Sequence, residues 1–263
     1  RSLEREAARA AAVSAATPKD YAAMTYRMQT LRALGRFQEA LDAGKALASD
    51  TAQIEIVGTD AFWLVNEYAS NLSALGRGDA AIAALDGVLA LGLDRYPELV
   101  SFAINRAEIV VQAGRFDAGL ASVTELDTRH ASGLSDYGRM WVWATKSCAL
   151  RALGRVAEAE AVEANIAKTP QNNWSAATEA AACRNDGGAI ADLIKLRLGD
   201  SEARHGALAM LITFDTKTSQ TAFQKRLRDA LAAAIARPDV QRAFAKYGRA
   251  VRYAGTTQGW NEF

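Results

Sequence analysis

Residues 31–40 read LRALGRFQEA, and the phrase returns as LSALGRGDAA at 72–81, VVQAGRFDAG at 110–119 and LRALGRVAEA at 150–159. It contains no nucleophile, no metal-ligand pair and no phosphate-binding loop, so its recurrence describes architecture. The glycines at its centre, Gly35, Gly76, Gly114 and Gly154, are separated by 41, 38 and 40 residues. A period in this range marks stacked supersecondary units, each too small to bury its own apolar face.

The flanks say what each unit is. Before Gly76, residues 60–75 place Phe62, Val65, Ala69 and Leu72 at three- and four-residue steps, which is one face of a helix. After it, Ile82, Leu85, Val88 and Leu89 repeat the pattern. The glycine supplies the positive φ that ends one helix and lets the next fold back. Five residues further on stand Ala40, Ala81, Gly119 and Ala159, small enough for two antiparallel helices to approach closely. Each phrase is therefore the corner of a helix hairpin. Pro18, Pro97, Pro170 and Pro238 all fall between the helical runs, where a missing N–H does no harm.

The totals agree. The chain has 263 residues, half of them hydrophobic, and only four prolines, with alanine and leucine dominant. Its apolar runs are interrupted by charges too soon to span a bilayer. The formal net charge is +1, unevenly spread: from Lys217 to Arg252 nine basic residues stand against two acidic ones. The sequence opens on RSLEREAARA, and that start together with two cysteines favours export over a cytoplasmic location.

The phrase ALGRFQEAL, with its turn glycine and the alanine five places on, resembles the tetratricopeptide repeat, here in a divergent, bacterial form. The resemblance spans residues 19–168 in four units. It implies an all-α fold, a right-handed superhelix of stacked antiparallel helix pairs with extra C-terminal helices. Residues 1–18 would form an N-terminal helix or cap, and 169–263 a shortened fifth pair, turning at 185–188, plus basic capping helices. The units exceed the family's usual spacing, and the segments TAQIEIVGT (51–59) and DTRHASGLSD (127–136) are where the extra residues are expected. The family's small residue midway along the first helix is matched by Ala69, Ala107 and Ser147, but the first unit has Met28 there. Residues 201–214, 219–236 and 238–251 are expected as further helices, with Trp260 and Phe263 in a tail that docks or stays loose.

In such a fold the first helix of each pair lines a concave groove, and the resemblance assigns to it Gln29, Arg32, Trp63, Asn66, Ser70, Ser101, Glu108, Trp141 and Arg151. Trp63 and Trp141, at equivalent positions thirteen residues before their glycines, either anchor a partner or pack beneath a neighbouring helix. The carboxylate clamp of chaperone-binding members is not matched, since Thr25, Gln29 and Glu67 occupy its places. The expected function is a non-enzymatic scaffold for a protein or peptide partner, without cofactor or metal.

The alternative is a polyanion-binding face made by Lys225, Arg226, Arg228, Arg242, Lys246, Arg249 and Arg252. The last four are spaced to share one side of a continuous helix. Against it, the same charges suit a solvated cap, and nucleic acid is the less favoured partner. His130 and His205 have no ligand partners at metal spacing. Cys148 and Cys183 fall on adjacent first helices. A disulfide between them is conceivable in an oxidising compartment if the Cα atoms come within about 7 Å. Neighbouring helices about 8–10 Å apart weigh against it, so two small buried residues are the favoured reading and the bridge is the alternative.

Overall fold

The computed structural model describes residues 2–214 and 219–253. These form fifteen α-helices and one short pair of strands. They divide into two compact units, the first comprising 2–109 with 214 and 219–220, the second 110–213 with 221–253.

The first unit contains α1 (Ser2–Ala16), α2 (Tyr21–Ala33), α3 (Phe37–Ala48), α4 (Thr51–Val57), α5 (Thr59–Ala74), α6 (Gly78–Leu89) and most of α7 (Val100–Gln112). Here α2 packs against α3 and also against α5, and α5 against α6. A first helix therefore meets both its own partner and the next first helix. The insertion expected at 51–59 is α4, started by Asp50, whose carboxylate accepts from the Gln53 N–H at 3.1 Å. Pro97 opens a single 3-10 turn, Pro97–Leu99, that runs into α7.

The second unit holds α8 (Phe116–Arg129), α9 (Asp136–Ala152), α10 (Val156–Ile166), α11 (Trp174–Cys183), α12 (Gly187–Gly199), α13 (Arg204–Ala209), α14 (Ala222–Ile235) and α15 (Pro238–Ala245). In it α9 packs against α8, α10 and α11, and α11 against α12 and α14. The DTRHASGLSD insertion is a short 3-10 turn, Ala131–Gly133, followed by Ser135 capping α9 through the Gly138 N–H.

All four turn glycines have positive φ, between 73° and 81°. At each, the N–H of the following arginine reaches back five residues: Arg36 to the Leu31 carbonyl at 2.9 Å, Arg77 to Leu72 at 2.9 Å, Arg115 to Val110 at 3.1 Å, Arg155 to Leu150 at 2.9 Å. This is the left-handed cap that satisfies carbonyls orphaned at a helix end. The fifth turn has the same bond, from the Asp186 N–H to Ala181 at 3.0 Å, with Asn185 at φ 57° in place of glycine. The arginine side chain adds a second tie where a glutamate lies three residues on: Arg36 to Glu39 at 2.6 Å and Arg155 to Glu158 at 2.7 Å.

Small residues after the turns are needed sterically. Ala40, Ala81 and Ala159 are fully buried, and a Cβ on Gly119 would collide with Val111 Cγ2. In the first unit, the large Met28 is accommodated by Gly44 on α3, where a Cβ would collide with the Met28 Sδ.

Beyond α12 two sequence expectations fail. The helix expected over 201–214 stops at Ala209, and Ile212–Phe214 is strand β1. The helix expected over 238–251 stops at Ala245, and Val251–Tyr253 is strand β2, with the Val251 N–H bonded to the Leu211 carbonyl at 3.2 Å. Gly248 lies so close to Leu208 that a Cβ would meet its Cδ2 at 2.8 Å, a tertiary approach that overrides the helical pattern. Lys217, Trp260 and Phe263 lie outside the described residues.

Candidate functional site

The nine residues assigned to the groove separate by burial. Gln29, Ser101 and Trp63 are exposed, Trp63 at 46% with its ring centroid 4.9 Å from that of Phe102. Asn66, Ser70, Glu108 and Trp141 are buried. Asn66 Oδ1 accepts from Asn105 Nδ2 at 2.9 Å, and Ser70 Oγ donates to the Asn66 carbonyl at 2.9 Å. The two equivalent tryptophans thus have opposite environments.

Arg32 and Arg151 are half-buried, and each forks onto a buried glutamate. Arg32 Nε lies 2.6 Å and Nη2 3.2 Å from the Glu67 carboxylate, which also accepts from Asn71 Nδ2 at 2.9 Å. Burial raises the Glu67 carboxyl against the pull of Arg32. In the second unit Glu163 accepts from Arg151 Nε at 3.0 Å, Arg151 Nη2 at 2.8 Å and Ser147 Oγ at 2.6 Å. Burial pushes this carboxyl up too, but those hydrogen bonds outweigh it and hold it low.

The seven cations of the proposed anion-binding face do not share a helix side. Arg242 is on α15, Lys246 ends it, Arg249 follows it and Arg252 is in β2, so the stripe their spacing predicts is broken after Ala245. On α14, Lys225 pairs with Asp229 at 2.6 Å, Arg226 lies 5.1 Å from the Phe223 ring centroid, and Arg228 is partly buried. A surface groove of about 680 Å³ runs between α8, α9 and α10. Its charged lining residues include Arg155, paired with Glu158, and Lys146, paired with Asp127 at 3.0 Å.

The most unusual chemistry lies between α9 and α11. Cys148 and Cys183 are joined in a disulfide with Cα atoms 5.2 Å apart, so of the two alternatives the bridge is the one found, not the favoured pair of unbridged cysteines. The reason is geometric: the spacing of about 8–10 Å between packed helices is measured between axes, and Cα atoms stand about 2.3 Å off each axis, so facing Cα atoms come to about 5 Å. The neighbours on α11, Ala176, Ala177, Ala180, Ala181 and Ala182, are all buried. Glu179 sits among these alanines, 1% exposed, one turn before Cys183. Its Oε1 lies 3.9 Å from Cys148 Sγ, and its Oε2 has no hydrogen-bond partner. Burial raises this carboxyl to about 7.

Cys148, Glu179 and Cys183 place possible ligand atoms within 4.8 Å of one another, but the disulfide ties up both sulfurs, so the oxidised site is not a metal-ligand set. On α9 the Trp141 Nε1 and Thr145 Oγ1 are also buried without partners, and with Cys148 they follow helical spacing along one side. The sequence signal for this site was present: a single glutamate in the alanine run of α11, four residues before a cysteine.

Comparison with known proteins gives no match, whether to a protein-family model, to a curated protein or to a solved structure.

Proposed function

We propose that the protein is a non-enzymatic interaction scaffold, a tetratricopeptide-like right-handed stack of helix pairs that holds a protein or peptide partner. The observation that carries this reading is Trp63. An indole on the first turns of α5 stays 46% exposed while in tilted contact with the Phe102 ring, and so leaves apolar surface open to a partner. Such residues act as anchors because they offer area at low entropic cost. Ser101, exposed at the equivalent position of α7, adds a polar group one repeat away. Five turns of a single geometry support the repeat identity.

The partner expected is a segment that lays an apolar side chain against the indole. The test is affinity capture from native extract followed by cross-linking, with wild type and Trp63→Ala compared. A truncated indole should remove the principal partner while the unfolding midpoint stays near that of wild type. An identical set of captured proteins would overturn the reading.

A further inference from the structure

We propose that Cys148, Cys183 and Glu179 form a redox-active thiol–disulfide site, in which a thiol reductant attacks Cys183 and Glu179 protonates the departing Cys148 sulfur.

Three observations lead there. A disulfide that served stability alone would be best surrounded by apolar groups, since a buried carboxyl with an unmet oxygen costs free energy that a leucine or alanine would not. Yet among the buried alanines of α11 stands an ionisable side chain, Glu179, and its carboxyl lies 3.9 Å from Cys148 Sγ. The two cysteines are also unequal. Cys148 is wholly buried, whereas Cys183 is 7% exposed at the last turn of α11, beside the turn at Asn185. Cys183, the less buried residue, is assigned as the point of attack, and the sulfur that then leaves, Cys148 Sγ, lies 3.9 Å from the acid. Finally, Thr145, three residues before Cys148 on α9, has a buried hydroxyl without a hydrogen-bond partner, a group that both donates and accepts.

The step balances. The reductant's thiolate bonds to Cys183 Sγ as the Cys148–Cys183 bond breaks, and the electron pair goes to Cys148 Sγ. The Glu179 carboxyl gives its proton to that sulfur, leaving a mixed disulfide on Cys183, a Cys148 thiol and a Glu179 carboxylate. The second thiolate of a dithiol then attacks the reductant's own sulfur in the mixed disulfide. The reductant departs as a disulfide, Cys183 leaves as a thiolate, and solvent protons restore Cys183 and Glu179. Two electrons and two protons are taken up in all. The burial that makes Glu179 a reluctant carboxylate makes it a ready donor near neutral pH.

The full chain is reduced with dithiothreitol at pH 7 and followed by thiol-labelling mass shift, in wild type and in Glu179→Gln, which keeps the shape but not the acid. The wild type should react without denaturant, and the variant on the order of 100-fold more slowly, as loss of a general acid predicts. Equal rates, or reduction of the wild type only when it unfolds, overturn the proposal. A second measurement needs no variant: wild type is treated with glutathione, quenched in acid and mapped by peptide mass. Glutathione on Cys183 supports the assigned order, and glutathione on Cys148 overturns it. Neither readout depends on a partner at Trp63.

Discussion

Met28 on α2 and Gly44 on α3 have exchanged sizes: where the other units carry Ala69, Ala107 or Ser147, a methionine fills the space that the glycine's missing Cβ leaves open, its Sδ standing where that Cβ would collide with it. Gly44→Ala should therefore destabilise the chain by about 1–3 kcal/mol through overpacking, although alanine is the better helix former by about 1 kcal/mol. Met28→Ala combined with Gly44→Ala should cost less than the sum of the two single changes. Urea unfolding of the four proteins closes the cycle, and strict additivity would show that the two residues do not share the space.

At Gly154, φ is 74° and a Cβ added there would find nothing within 4 Å, so the cost of a side chain is purely conformational. Gly154→Ala is expected to lose about 1–2 kcal/mol. Gly154→Asn should lose less, because Asn185 already occupies the same conformation in the fifth turn. Thermal unfolding of both variants decides it, and an equal loss would mean that the fifth turn tolerates asparagine for another reason.

Arg32 and Glu67 form a forked pair with the carboxylate only 5% exposed. Removing one partner strands the other, so Arg32→Met should cost about 3–5 kcal/mol. Adding Glu67→Leu to it should recover most of that loss, since the buried charge is then gone. Chemical unfolding measures both. No recovery in the double variant would mean that Asn71 or the packing, and not the stranded charge, sets the cost.

The hairpins were legible in the sequence because a helix corner is a local event. Gly35, Gly76, Gly114 and Gly154 need positive φ whatever surrounds them, and the small residue five places later follows from helix geometry. The disulfide was not legible, because the average spacing of helices is a distance between axes, whereas facing Cα atoms, each about 2.3 Å off its axis, stand as near as the 5.2 Å between Cys148 and Cys183. Nor were the strands at Ile212 and Val251, where the approach of Gly248 to Leu208 and the pairing of Val251 with Leu211 override local pattern. The groove assignment divided on the same grounds. Position relative to the glycine places Trp63 and Trp141 alike, and only the tertiary surroundings leave one exposed and bury the other.

Glu179 and Glu163 should act on stability in opposite directions as pH changes. Glu163 is held low by Arg151 and Ser147, so what it contributes is present above the unfolded carboxyl range near 4.5 and is lost as pH falls through its folded value. Glu179 is raised to about 7, so the folded state keeps a proton that the unfolded chain has already released. Its contribution is complete below about 4.5 and declines as pH rises towards 7, a loss of about 3 kcal/mol for a shift of this size. Glu179→Gln should abolish that decline, leaving the oxidised variant more stable than wild type at pH 8 and little different at pH 4.5. Urea midpoints of both proteins at the two pH values, with the disulfide intact, provide the check. A variant that loses stability equally at both would show that Glu179 serves packing, because only a titrating carboxyl makes the difference depend on pH.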